Sequence, residues 1–219
     1  MMRATMGPTA AIAGIAPGVQ SHGIWTGRRQ LFVRFAAEAE TAVLYTAAML
    51  ARHLERTSVA STLHSISLSG RDPLASADLI VETFAQWKTS LPVMLDCDGQ
   101  RPEFIDQVAH SVTMVQITPD VIDGPASERA LRSLAGAVAA GLDHAVVLSP
   151  REGATDGQML RFVEQAHSAA PGTKIVIHPL MSPERSSLDA RYATLLEQAM
   201  TIHHDTVLLM RIPGGVGTR

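Results

Sequence analysis

The fold is indicated first by the stretch Gln20-Ser21-His22-Gly23-Ile24-Trp25-Thr26-Gly27-Arg28-Arg29-Gln30-Leu31-Phe32-Val33-Arg34-Phe35. Its first half is a loop interrupted by glycines, and its second half is a short, mostly apolar run suited to a buried strand. An arginine near the end of such a strand is typical of α/β folds, which present polar groups where their strands end. We therefore expect a pocket to begin here.

The rest of the chain alternates between strand and helix patterns. Six further apolar runs predict strands, at 65–69, 91–95, 113–117, 144–148, 174–178 and 206–212. Helical patterns lie between the predicted strands, at 38–55, 76–88, 101–109, 128–140, 155–169 and 187–203. This alternation predicts a parallel sheet with helical crossovers. The fold class is α/β, and we expect an incomplete parallel (βα) barrel of about six to seven strands, with a full barrel or an open doubly wound sheet as alternatives.

Length and composition bound the domain organisation. A chain of 219 residues with 46% hydrophobic residues can bury a core as one domain, which we place at 18–219. Residues 1–17 are weakly apolar and are interrupted by Gly and Pro, so we expect a flexible leader there. That segment is too short for a secretory core or a membrane span, and we expect no membrane partner.

Charge and cysteine usage exclude several classes of protein. The net charge of -3 does not favour duplex binding, which needs clustered Lys and Arg, so we expect no nucleic-acid partner. The single cysteine, Cys97, excludes an intramolecular disulfide and a four-cysteine metal site. A cytoplasmic location is compatible with this cysteine usage.

Polar residues follow the ends of most predicted strands. They are Arg34, the segments 69–72, 96–98, 118–120 and 149–151, and His178. Because the carboxyl ends of parallel strands share one rim, residues far apart in sequence should converge there. We place the functional site at this rim.

Several of these stretches resemble the motifs of one enzyme family, in the same order along the chain. Gln20-Ser21-His22-Gly23 with Gly27-Arg28 resembles Gln-Gly-Glu-Gly-x-x-x-Gly-Arg, and Phe32-Val33-Arg34 matches a Phe-Val-Arg strand. Gly70-Arg71-Asp72-Pro73-Leu74 resembles Gly-Gly-Glu-Pro-Leu, Leu95-Asp96-Cys97-Asp98-Gly99 resembles Leu-Glu-Thr-Asn-Gly, and 212–219 resembles a closing segment with Gly-x-Arg. These are motifs of the 7-carboxy-7-deazaguanine synthases, members of the radical S-adenosylmethionine (SAM) superfamily. The resemblance implies a partial barrel that binds a small molecule.

The defining element of that superfamily is missing from this sequence. The resemblance implies three cysteines spaced Cys-x3-Cys-x2-Cys, which hold an iron-sulfur cluster, but Glu38, Ala42 and Tyr45 align there. Cluster iron needs thiolate ligands, so we expect neither an iron-sulfur cluster nor radical cleavage of SAM. His22, Arg71 and Ala47 also depart from family positions that are Glu, Gly and a magnesium-associated Thr.

The resemblance and the rim pattern together give the candidate site residues. As ligand-binding residues we expect Gln20, His22, Arg34, Gly70, Arg71, Asp72, Asp96 and Asp98. The candidate acids and bases are His22, Asp72 and Asp96, and we expect no metal site. Each group also has a structural interpretation: Arg34, Arg71 and Asp72 could form rim ion pairs, and Asp96 and Asp98 could act in a turn.

Three functions remain open from the sequence. The first is a cluster-less homologue of 7-carboxy-7-deazaguanine synthase that binds a purine- or pterin-like carboxylate, with SAM as another candidate ligand. It would be a binding or regulatory subunit, either a homodimer or paired with an active relative. The second is an enzyme whose pocket serves non-radical chemistry, with or without SAM. The third is an interaction protein whose pocket is filled by its own side chains.

Overall fold

In the described part of the chain the sheet contains nine strands, seven of which run parallel. The computed structural model describes residues 7–149, 154–179 and 190–212. The parallel strands are β2 (Arg29–Phe35), β4 (Ser65–Gly70), β5 (Val93–Cys97), β6 (Met114–Ile117), β7 (Asp143–Leu148), β8 (Lys174–Ile177) and β9 (Thr206–Leu208). They are neighbours in the order β2-β4-β5-β6-β7-β8-β9, so each crossover moves one strand along the sheet. The predicted parallel α/β sheet is confirmed.

Two antiparallel strands extend the sheet beyond β2. Strand β1 (Thr9–Val19) pairs antiparallel with β2, and β3 (Val43–Thr46) pairs antiparallel with β1. Residues 9–17 of the expected flexible leader therefore form most of a sheet strand, in which Ala10 and Ile12 are buried. The expectation of a flexible leader is therefore wrong for residues 9–17. The small residues, Gly and Pro of this segment are compatible with a strand that pairs with β2. Residues 1–6 lie outside the described part of the chain.

The helices pack on one face of the sheet. They are α1 (Ala47–Val59), α2 (Ala77–Gln86), α3 (Ile105–Val108), α4 (Gly124–Ala139), α5 (Asp156–Ala169) and α6 (Ala190–Ile202), with short 3-10 turns at Pro73–Ser76 and Pro102–Phe104. The expected helix at 38–55 is wrong in its first part, because Thr46 caps α1 by accepting from the Met49 N–H. Val43 to Thr46 instead form β3, since β-branched and aromatic residues suit a strand. The predicted start at 187 lies outside the described residues.

The two faces of the sheet have different surroundings. Leu95 and Cys97 of β5 join one large core with buried residues from all six helices, and the alternate residues of the other strands do the same. Met94, Met114 and Ala145 point to the opposite, inner face, where Ile24 and Trp25 cover them. A doubly wound sheet carries helices on both faces. Helices on one face and a loop on the other fit a partial barrel, which is open because β3 and β9 are the edge strands.

Candidate functional site

The inner face is covered by the loop that joins β1 to β2, which we call the hairpin loop (residues 20–28). The Gln20 N–H donates to the Arg28 carbonyl at 2.9 Å, and the Gly27 N–H donates to the Gln20 carbonyl at 2.9 Å. Gly23 and Gly27 have φ values of +80° and +83°, in the left-handed region that glycine enters without steric cost. These glycines let the loop fold back over the sheet.

Consecutive residues of the hairpin loop are bonded to different strands. His22 Nε2 lies 3.1 Å from Asp96 Oδ2 on β5. The Gly23 N–H donates to His178 Nε2, just after β8, at 2.7 Å. The Ile24 N–H donates to Gln116 Oε1 on β6 at 3.1 Å. Side chains that are far apart in the sequence therefore hold the loop against β5, β6 and the end of β8.

The hydrogen bonds determine the tautomer of His178, which lies beside His22. His178 Nδ1 lies 2.6 Å from the Leu209 carbonyl, so that nitrogen carries the proton and Nε2 accepts from Gly23. Burial lowers the pKa of His178 to about 4, which keeps the ring neutral. His22 Nε2 faces the Asp96 carboxylate, and His22 Nδ1 lies 3.4 Å from Ser21 Oγ. The two rings meet edge to face with centroids 6.3 Å apart.

The carboxylate of Asp96 is the centre of this cluster. It accepts from His22 and, through Oδ1, from Thr118 Oγ1 at 3.0 Å. Both members of the His22–Asp96 pair are almost fully buried, with exposed fractions of 4% and 2%. A buried carboxylate with charge-assisted hydrogen bonds can orient a histidine as an acid or a base. We call His22, Asp96, Thr118, Gln116 and His178 the inner-face cluster.

Two buried amide groups, one in the hairpin loop and one on β6, have atoms without protein partners. Among the described residues, Gln20 Nε2 and Oε1 and Gln116 Nε2 have no hydrogen-bond partner, and the same holds for Ser67 Oγ on the inner face of β4. Each such group costs about 1–3 kcal/mol when it stays unpaired in the folded protein. Polar groups that are buried at this cost indicate a site that a further molecule, water or ligand, completes.

Arg34 and Asp72, both predicted to bind ligand, make ion pairs on the rim instead. Arg34 pairs with Glu40, whose pKa is lowered by the Ala37 N–H and by Arg34 itself. Asp72 accepts from Arg101 Nε at 2.7 Å and caps the following 3-10 turn through the Ala75 N–H. The structure does not bond either group to the inner-face cluster, so their ligand-binding roles stay predictions.

The remaining predicted residues serve the backbone. Gly70 has φ +110° and lies so close to Phe35 that an added Cβ would be 2.2 Å from the Phe35 carbonyl oxygen. Arg71 is exposed and donates its N–H to that same carbonyl. Asp98 accepts from the Gln100 N–H at 3.1 Å, as in a turn. Among the described residues, no three His, Cys, Asp or Glu side chains are grouped to hold a metal ion.

The residues aligned with the cluster cysteines do not fit an iron-sulfur cluster. Glu38 and Ala42 lie outside helices and strands, and Tyr45 is on β3. The only thiol of the sequence, Cys97, is buried in the core under the helices. Without three thiolates at one place, this chain alone cannot ligate a cluster.

Sequence reasoning missed Gln116. The polar groups predicted to follow strand ends include Thr118 and His178, whereas 113–117 is predicted as an apolar strand. The available signal was alternation: Gln116 shares the inner face with Met114, as Asp96 shares it with Met94. A polar residue at an inward position of a buried strand points to a site.

Two cavities among the described residues are not lined by the inner-face cluster. One, of about 180 Å3, is lined by residues that follow β6 and β7 and by the start of α5. The other, of about 490 Å3, is lined by Tyr45 and by one side of α1. Neither is bordered by Arg34 or Asp72, the pair expected to frame a pocket.

Known proteins resemble this chain in sequence and in fold. The chain is 29% identical over 115 residues to a 7-carboxy-7-deazaguanine synthase from Methanothermobacter thermautotrophicus, which covers 46% of this chain and 45% of that protein. A radical SAM methyltransferase from Sphaerobacter thermophilus superposes with a TM-score of 0.59 at 11% identity, over 85% of this chain and 67% of that chain. The chain is distantly similar to radical SAM enzymes. No protein-family model matches it.

These comparisons support the fold and a distant relationship. The chain spans about half the length of the curated relative, so that protein's activity is not carried over here. At 11% identity the methyltransferase shows the fold alone. No helix in the described part of the chain is long and apolar enough to cross a membrane.

Proposed function

We propose that this chain is a cluster-less relative of 7-carboxy-7-deazaguanine synthases that binds a small polar molecule at the inner face, without radical chemistry. The observation that carries this proposal is the unpartnered, fully buried amide of Gln20, in the same loop as His22 of the inner-face cluster. A protein that needed only a packed core would gain stability by replacing that amide with an apolar side chain. The retained amide is better explained by a ligand.

The groups on the inner face favour a flat, lactam-bearing heterocycle. A glutamine amide offers a donor and an acceptor side by side, which matches the N–H and C=O edge of a purine- or pterin-like ring. Gln20 offers both, and Gln116 Nε2 adds a further donor. A carboxylate on the same ligand would pair with Arg34, and it would have to displace Glu40 to do so.

Entry of such a ligand requires the hairpin loop to shift, because Gln20 and His22 of this loop are themselves buried. The loop is attached by backbone hydrogen bonds, each worth about 0.5–1.5 kcal/mol, by the His22–Asp96 pair and by the packing of Ile24 and Trp25, so ligand binding energy would have to drive its opening. Gly23 and Gly27 can adopt other backbone conformations without steric cost, which gives the loop the freedom to move.

The proposed function requires no iron-sulfur cluster, and SAM is not its preferred ligand. The chain has one cysteine, and it lies in the core. Where the resemblance places the aminoacyl end of SAM, the second Gly of the family motif is replaced by the bulky, charged Arg71, and the neighbouring Asp72 carboxylate is already bonded to Arg101 and to a backbone N–H. SAM would have to compete with both partners, so it is the weaker candidate ligand.

An enzyme with a repurposed pocket is the second candidate, and the His22–Asp96 pair favours it. The Asp96 carboxylate orients the ring of His22 through Nε2, and in this function the neutral ring would present Nδ1 as the acceptor that a general base needs. In this function His22 would move a proton at the bound ligand, and Thr118 would hold the carboxylate in place. Pairing with a second copy or an active relative remains a further prediction for either function.

Calorimetric titration with 7-carboxy-7-deazaguanine, 6-carboxypterin and SAM tests the proposal. We expect one of the two carboxylates to bind the wild type, and binding to weaken about tenfold or more in Gln20→Leu. The matched control is Thr83→Val, which removes an unpartnered buried hydroxyl from α2 on the other side of the sheet and should not change binding.

The outcomes separate the three functions. No binding of any probe, together with greater stability of Gln20→Leu than of wild type, would contradict the proposal and favour a packed interaction protein. Turnover of a bound probe that is lost in His22→Gln would favour the enzyme. Binding that is equal in wild type and Gln20→Leu would place the ligand elsewhere.

A further inference from the structure

Strand β3 is an edge strand that carries one exposed apolar side chain on each face. Val43 and Leu44 are 56% and 59% exposed, although neighbouring residues on a strand point to opposite faces. Among the described strands, β3 pairs only with β1, so its other edge offers free backbone N–H and C=O groups. Proteins normally protect such an edge with charge, proline or a covering element, and β3 has none of these within its four residues.

The edge adjoins the 490 Å3 cavity along α1. Tyr45 of β3 contributes to its lining, together with Met49, Arg52, His53, Glu55 and Arg56. Tyr45 Oη and His53 Nδ1 are hydrogen-bonded at 2.9 Å, and Met49 is 46% exposed beside them. The edge of β3 and this groove therefore form one continuous surface.

The groove carries an excess of positive charge. Arg52 and Arg56 are one helical turn apart on α1, where like charges destabilise a helix by about 0.2–0.5 kcal/mol. Glu55 offsets one of them. Burial and the nearby Arg56 lower the pKa of His53, so it adds no charge at neutral pH. An acidic group placed between the two arginines would relieve their repulsion.

We propose that the β3 edge and the α1 groove bind an extended, acidic segment of a partner protein by strand addition. The backbone of the segment would pair with β3, its apolar side chains would cover Val43 and Leu44, and an acidic side chain would lie between Arg52 and Arg56. A second copy of this chain fits less well. Symmetric antiparallel pairing through β3 would place both α1 helices on the same face of the joined sheet and bring their arginine pairs together.

Fluorescence anisotropy with synthetic peptides tests this proposal. The probe is a labelled six-residue peptide that alternates valine and glutamate. We expect it to bind the wild type in a salt-dependent manner and to bind Arg52→Glu/Arg56→Glu at least about tenfold more weakly. The control variant Arg132→Glu/Arg161→Glu makes the same charge change at exposed positions on α4 and α5 and should bind as wild type does.

Two further measurements separate strand addition from its alternatives. Leu44→Lys places a charge on the edge and should also abolish binding, with the fold verified by circular dichroism. Equal binding of a peptide with proline in place of valine would reduce the surface to a simple anion site and overturn the proposal. Absence of peptide binding would overturn it too, as would a dimer in light scattering that Leu44→Lys dissociates.

Discussion

Replacement of Gly23 by alanine tests whether the hairpin loop is fitted to the sheet as described. An added Cβ would lie 2.0 Å from Gln116 Oε1 and 2.6 Å from its Nε2, far inside van der Waals contact. Gln116 is fully buried, so its side chain has little room to move away. If it does move, the Ile24 N–H loses its acceptor.

The expected cost has two parts. Alanine at φ +80° costs about 1–2 kcal/mol because its Cβ crowds the following carbonyl. Loss of the Gln116 hydrogen bond leaves a buried N–H unpaired and adds about 1–3 kcal/mol. Gly27→Ala is the matched control: it has φ +83°, but an added Cβ there finds only Ile212 Cδ1, at 3.9 Å. Gly27→Ala should therefore lose stability through the positive φ value but not through a broken Gln116 hydrogen bond.

Urea unfolding followed by circular dichroism measures both variants. We expect Gly23→Ala to lose about 1–3 kcal/mol more free energy of unfolding than Gly27→Ala, with unchanged m-values. The double variant Gly23→Ala/Gln116→Ala should be less destabilised than the sum of its single variants, because the clash is absent. Equal destabilisation of the two glycine variants would refute the fitted loop.

Other perturbations follow from single contacts. Because the pKa of His178 is about 4 in the folded protein and ordinarily 6.5 for a histidine, the unfolded chain binds more protons between these pH values. Stability should therefore fall by about 2 kcal/mol as the pH is lowered through that window, solvent screening allowed for, and His178→Gln should flatten the urea-midpoint profile. Gly70→Ala should cost more than about 3 kcal/mol in urea unfolding, against about 1–2 for Gly141→Ala, which has φ +68° and open space. Arg34→Gln breaks an exposed ion pair and should cost less than about 1 kcal/mol in the same assay; calorimetry should show weaker carboxylate binding.

Most of the sheet could be predicted from local sequence because its strands are short apolar runs between helical patterns. The seven parallel strands follow that rule, and their order along the sheet follows from simple crossovers. The antiparallel strands could not be predicted in this way. Strand β1 is rich in Ala and Gly, and β3 is too short to compete in a helical window, so both depend on pairing with a neighbour.

The candidate site could be predicted only in part. The rim rule brought Asp96, Thr118 and His178 together, since each lies at or after the end of a parallel strand. It could not show that Arg34 would find Glu40, because that ion pair depends on the path of the chain after β2. It also could not show that the hairpin loop would cover the inner face, since this results from contacts with three separate strands.

The central claim is that this chain, which has the fold of a radical SAM enzyme, does not bind an iron-sulfur cluster. Anaerobic reconstitution with iron and sulfide, followed by desalting and by iron analysis and absorbance spectroscopy, tests it most directly. With one buried thiol in the sequence, the account predicts no stoichiometric iron and no iron-sulfur absorbance in the wild type or in Cys97→Ser. A stoichiometric cluster bound to the wild type would contradict it.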